Sequence, residues 1–130
     1  MKLEEQVCSL DLAKRLKALG VKQESLFLWF ENQKTHDWEL LGAEYASSII
    51  SPWCSAFTVA ELGEMLPASL PCRFDFKDAG LLDIFKSNEW WTCKYIGIEL
   101  FYSQSMADAM AKMLIYLIEN GLLKPEGKAA

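Results

Sequence analysis

Ser105-Met106-Ala107-Asp108-Ala109-Met110-Ala111-Lys112-Met113-Leu114-Ile115-Tyr116-Leu117-Ile118-Glu119-Asn120-Gly121 is the stretch that decides the fold. Met106, Ala109, Met110, Met113, Leu114, Leu117 and Ile118 recur at i, i+3, i+4, i+7, i+8, i+11 and i+12, one unbroken apolar face of an α-helix. Ile115 and Tyr116 widen that face, so the helix is expected to pack deep against a sheet. Ser105 is the expected N-cap, with Asp108 at N3; Gly121 stops the helix and Pro125 forbids a restart. Lys112 falls on the polar side, one turn after Asp108, and the two are expected to form an exposed pair.

A second helix is equally well punctuated. In Phe57-Thr58-Val59-Ala60-Glu61-Leu62-Gly63-Glu64-Met65-Leu66-Pro67, Thr58 and Glu61 have the spacing of a capping box. Phe57 and Leu62 stand where a hydrophobic staple would join, and Pro67 ends the helix. A third helix is capped by Ser9, carries Leu12, Ala13, Leu16 and Leu19 on one face, and closes at Gly20 with Val21 behind it.

Between these helices the pattern turns to strands. Ser25 to Phe30 is a short aromatic run suited to a strand buried on both faces, and Trp38 to Leu41 answers it across a polar loop as a hairpin. Tyr45 to Ile50 is a weaker strand candidate, interrupted by Pro52. Cys72 to Lys77 alternates apolar and polar, as a half-buried strand does, and Asp78-Ala79-Gly80 is a turn. Trp90 to Ile98 is a further strand, with Gly97 at a bend, and Ile98 to Tyr102 extends it or begins another. The expected fold is α+β: about three helices packed on an antiparallel sheet of four to six strands. Residues 1–123 are expected to form one domain, with 124–130 as a flexible tail.

Composition narrows the function classes. The chain of 130 residues carries a net charge of −5, which opposes phosphate backbones unless its basic residues cluster. Lys14, Arg15, Lys17 and Lys22 are one modest cluster, and the simpler reading places them in the last turns of a helix. No apolar run reaches the length of a membrane span, and the N-terminus has no export signal, so the expected location is cytoplasmic. Cys8, Cys54, Cys72 and Cys93 are then reduced thiols, and without a C-x-x-C pair no metal site is expected. No cofactor motif is present.

Candidate chemistry is sparse. His36, the only histidine, lies in a polar turn with no nucleophile context around it. Glu39 with Glu44, or Glu61 with Glu64, would need to converge in a cleft to act as acid and base. Both Leu12–Leu16 and Thr58–Leu62 sound like the first helix of a helix-turn-helix, but strand-like sequence follows each where a recognition helix should stand. No catalytic residue is assigned.

The tryptophans carry the interest. Trp90 and Trp91 are adjacent on a strand and point to opposite faces, so a single covering layer buries only one. An exposed indole joined by Trp53 or Trp38 would make a contact patch; the alternative is a sheet covered on both sides.

Ser9-Leu10-Asp11-Leu12-Ala13-Lys14-Arg15-Leu16-Lys17 with Gly20-Val21-Lys22-Gln23-Glu24-Ser25-Leu26-Phe27, and the segments Ala56–Pro67 and Ala107–Leu122, resemble in order the opening, middle and end of small uncharacterised bacterial proteins from phage and prophage regions. The resemblance spans about half the chain and implies no activity. The expected function is a non-catalytic binding or accessory protein, phage-associated, that meets a protein partner through Trp90, Trp91, Trp53 and Trp38. The alternatives are a small-molecule binder or small enzyme with an aromatic-lined pocket, and a nucleic-acid-binding regulator.

Overall fold

A computed structural model describes residues 2–126. It is α+β and antiparallel, with the order α1 (Leu3–Gln6), α2 (Leu10–Ala18), β1 (Phe27–Glu31), β2 (Trp38–Gly42), a 3-10 helix (Ala43–Ser48), β3 (Trp53–Ser55), α3 (Val59–Met65), β4 (Leu82–Ser87), β5 (Trp90–Tyr95), β6 (Glu99–Ser103) and α4 (Met106–Glu119). The strands do not make one sheet of four to six. They make two sheets of three, ordered β2-β1-β3 and β4-β5-β6. The division has a physical reason. Each sheet is built around a local hairpin, and the strands that would join the two are separated by α3 and a long irregular stretch.

The core belongs to α4. Ala107, Ala109, Met110, Ala111, Met113, Leu114, Ile115 and Leu117 are all buried. They pack with Leu16 of α2, Leu62 of α3, and Cys93 and Tyr95 of β5. Phe101 of β6 meets Tyr116 with ring centres 5.6 Å apart, so α4 lies against the C-terminal sheet.

Local signals set the helix ends. At the end of α2, Gly20 takes φ +91°, its N–H donates to the Lys17 carbonyl and that of Val21 to the Leu16 carbonyl. At the end of α4, Gly121 takes φ +70°, with Leu122 N–H on the Leu117 carbonyl. Both close in the two-bond motif that left-handed glycine permits. The Ser105 hydroxyl accepts from Asp108 N–H at 3.3 Å. Ser9 is different: no side-chain cap forms, and its own N–H donates to Asp108 Oδ1 at 2.7 Å. That bond ties the start of α2 to the start of α4. It engages the carboxylate expected to pair with Lys112, which instead donates to the Tyr102 carbonyl.

The capping box of α3 forms. Thr58 Oγ1 accepts from Glu61 N–H at 3.2 Å, and Glu61 Oε1 accepts from Thr58 N–H at 2.8 Å. Thr58→Ala removes one acceptor and is expected to cost about 1 kcal/mol. Urea denaturation checks this; an unchanged midpoint with an unchanged slope would contradict it.

Other expectations need correction. Tyr45 to Ile50 is not a strand; most of it lies in the 3-10 helix. Cys72 to Lys77 forms no strand either. Arg73 to Lys77 are all exposed, and Phe74 and Phe76 rest near Gly97 in the β5–β6 turn. Alternation alone did not make it a strand: the segment stays outside both sheets, with no ladder partner along it. The run from Phe27 is only partly buried on its two faces: Leu28 is the one fully buried member of β1. Of the expected tail, residues 127–130 lie outside the described residues, and Pro125 packs near Gly20.

Candidate functional site

In the C-terminal sheet, β5 is the central strand, so its pleat governs both faces. Trp91, Cys93 and Tyr95 point toward α4, and the register places Ile84, Leu82 and Phe101 beside them. The opposite parity carries Trp90, Thr92 and Lys94 on β5, Phe85 and Asp83 on β4, and Tyr102 and Leu100 on β6. Phe85 is 39% exposed, Trp90 45%, Leu100 49% and Tyr102 57%. Four large apolar side chains thus stand in water on one face of one sheet.

These side chains are arranged rather than scattered. The Trp90 and Tyr102 rings meet edge to face with centroids 5.5 Å apart and planes 82° apart, a favoured aromatic geometry. Thr92 sits in register between Phe85 and Tyr102, a small residue flanked by two rings. Lys94 Nζ lies 5.4 Å from the Phe85 ring and 3.9 Å from Asp83 Oδ2, so the charges of this face cancel locally. Among the described residues, no helix packs on the face; α4 covers the other one.

The four tryptophans expected to work together are not brought together. Trp90 stands on this outer face and Trp91 on the inner one. Trp38 and Trp53 belong to the N-terminal sheet, where Lys14 lies 4.4 Å from the Trp38 ring and Lys17 5.1 Å from the Trp53 ring. Lys17 also donates to the Trp53 carbonyl. Two lysines one turn apart on α2 therefore cover the two indoles. Phe85, Leu100 and Tyr102 were not singled out from sequence. The available signal was apolar residues at the outward parity of strands, which disguises the alternation that marks a half-buried sheet.

The same contacts occupy much of the basic cluster. Lys14 and Lys17 stack on indoles, Arg15 pairs with Glu119 at 2.7 Å and Lys22 with Glu24 at 3.1 Å. Arg73 lies 5.1 Å from the Phe74 ring, in the loop beside the other sheet.

The polar candidates are accounted for in the same way. His36 is exposed on the β1–β2 loop, held at φ 62°, with Glu31 3.7 Å from its Nδ1. Glu39 accepts from Asn32 at 3.3 Å, and Glu44 is exposed on the 3-10 helix. Glu61 and Glu64 both line an open cleft of about 520 Å³ with Lys22, Glu24, Phe57 and Met65. Glu61 is already committed there: besides Thr58 N–H, it accepts from the Ser25 hydroxyl at 2.7 Å and Leu26 N–H at 3.0 Å. It ties α3 to the approach to β1. Among the described residues, no group of three or more His, Cys, Asp or Glu is placed to hold a metal ion.

The cysteines are free, with Cys8, Cys54 and Cys93 buried and Cys72 half-buried. Burial pushes the Cys8 and Cys93 thiols up to about 12 from an ordinary 9.0, and pushes Cys54 upward against the pull of Lys17 and Lys14. A raised folded-state pKa means that the unfolded chain ionises first. The stabilisation from Cys8 and Cys93 is therefore complete below pH 9 and lost as pH climbs toward 12. Native protein is expected to react with a thiol reagent at Cys72 and to resist at the other three until unfolded. Stoichiometric labelling of Cys8 or Cys93 in the folded protein would contradict this burial.

No helix of the described residues is long and apolar enough to cross a membrane. No protein-family model, curated protein or solved structure matches the chain.

Proposed function

We propose that this chain is a non-catalytic binding or accessory protein that works by protein–protein contact through the outer face of β4-β5-β6. One observation carries the reading: Phe85, Trp90, Leu100 and Tyr102 are exposed together on a sheet face that no other layer of the described residues covers. An apolar face of this kind costs free energy when left in water, and the largest such patch on a protein, about 300–600 Å², is often a functional one. Trp and Tyr are also the residues that most often dominate contact energetics. The phage association belongs to the same proposal and rests on the three resembling segments alone.

Trp38, Trp53 and Trp91 pass from contact residues to supporting ones. The working set becomes Trp90 and Tyr102 at the centre, flanked by Phe85 and Leu100. The nucleic-acid alternative has less support, because Lys14, Arg15 and Lys17 already have partners within the fold and the net charge is −5.

The test compares the wild-type chain with Trp90→Ser/Tyr102→Ser as bait in extract of the native host, with the chain itself counted among possible captures. The expected result is a protein retained by the wild type and lost from the variant, with the variant's thermal transition preserved. Equal capture by both, or capture of nucleic acid that the variant retains, would overturn the reading.

A further inference from the structure

We infer that the occupant of the outer face of β4-β5-β6 is a second copy of this chain, packed face to face about a two-fold axis. The inference rests on the contact-surface reading and names its partner.

Area is the first argument. A stable pairing buries about 800 Å² on each partner, a little over half of it apolar. Large side chains offer about 150–250 Å² each, so the exposed fractions of Phe85, Trp90, Leu100 and Tyr102 amount to roughly 400 Å². That is the apolar share a dimer contact of ordinary size requires. Thr92, Lys94, Asp83 and Ser87 share the face and supply a polar remainder.

Charge is the second argument. At −5, two copies repel when they approach at random. On this face, Asp83 and Lys94 oppose each other at 3.9 Å and leave no net field. A strongly acidic or basic partner finds nothing here to steer it. A second copy carries the same balanced pair, and a two-fold contact with its axis between β4 and β5 sets Asp83 of one copy against Lys94 of the other, and the reverse. Both charges lie in the row of Leu100, away from the Trp90–Tyr102 pair, where an interface tolerates charge.

Shape is the third argument. Thr92 is a small side chain in register between the larger Phe85 and Tyr102, and Trp90 meets Tyr102 edge to face, so the face is uneven rather than flat. Two twisted sheets pack aligned at about 10 Å, with side chains of one entering gaps of the other. The dimer is then a sandwich of two three-stranded sheets, each backed by its own α4.

Sedimentation equilibrium of the full chain across the micromolar range tests this, with circular dichroism as the folding control. The expected result is a dimer whose dissociation constant rises at least tenfold in Tyr102→Glu. Lys94→Asp should weaken it likewise, and the swap Asp83→Lys/Lys94→Asp should restore it. If Tyr102→Glu loses its thermal transition, the Lys94→Asp and swap pair reads the same contact. A dimer indifferent to all three variants would place the contact elsewhere and overturn the inference. A wild-type chain that stays monomeric overturns it too, yet leaves the contact-surface reading standing if the Trp90→Ser/Tyr102→Ser bait loses a different protein. A monomer whose captures are unchanged in that bait overturns both.

Discussion

Met113→Asp is expected to abolish the cooperative thermal transition, whereas Lys112→Asp leaves it within a few degrees of wild type. The two residues are neighbours on α4 and differ in what surrounds them. Met113 is fully buried within the cluster that joins α4 to α2, α3 and β5. A carboxylate there has no partner, and burying it costs several kcal/mol, at least about 4. Domains of this size hold about 5–15 kcal/mol in total, so the variant sits near or beyond the limit. Lys112 loses only a bond to the Tyr102 carbonyl at 3.2 Å, worth about 1 kcal/mol or less at an exposed site. Calorimetry checks the pair. Equal loss in both would mean that α4 is rotated from the orientation described.

Glu61→Ala is expected to cost about 3 kcal/mol, well above the cost of Thr58→Ala, although both residues belong to one capping box. Thr58 Oγ1 accepts a single bond. The Glu61 carboxylate accepts three, from Thr58 N–H, the Ser25 hydroxyl and Leu26 N–H, at 2.8, 2.7 and 3.0 Å. Hydrogen bonds to an ionised acceptor are the stronger kind, and removing the carboxylate strands the partly buried Thr58 N–H. Glu61→Gln keeps the shape and one acceptor oxygen, and should fall between. Urea denaturation of the three variants gives the order. If Glu61→Ala is no worse than Thr58→Ala, the tie to residues 25 and 26 carries no free energy.

What could be read from the sequence follows from how local each signal is. The face of α4 was legible because its period is sustained over the whole helix. The α3 capping box and the stops at Gly20 and Gly121 were legible because each involves residues a few positions apart. The hairpin from Phe27 to Gly42 was legible for the same reason. The partition into two sheets was not, because no local feature says which hairpin another strand will join. Residues Leu82–Ser87 escaped notice as a strand because Phe85 points outward and spoils the alternation. The feature that hid β4 is the one that makes its face a contact surface. Conversely, Cys72–Lys77 alternates cleanly and forms no strand, since alternation describes a half-buried face only where a neighbour supplies the other half of the ladder. The coverage of Trp38 and Trp53 depended on lysines from a helix more than twenty positions away, which composition cannot show. Trp90 and Trp91 could be assigned to opposite faces from the two-residue period of a strand, but which face stays open depended on where α4 lies.

Hydroxyl-radical footprinting of the wild-type chain, read residue by residue at low and high protein concentration, distinguishes the open face of the C-terminal sheet from the sealed one. The outer face of β4-β5-β6 is held to be the working surface, with its inner face sealed by α4. At low concentration, Trp90, Tyr102 and Phe85 should therefore oxidise readily, while Tyr95 stays protected as the internal control. At high concentration the first three should become protected together. Strong oxidation of Tyr95 alongside weak oxidation of Trp90 and Tyr102 in the dilute protein would mean that the sheet faces are the other way round, with the face of Trp90 and Tyr102 sealed and no contact surface there.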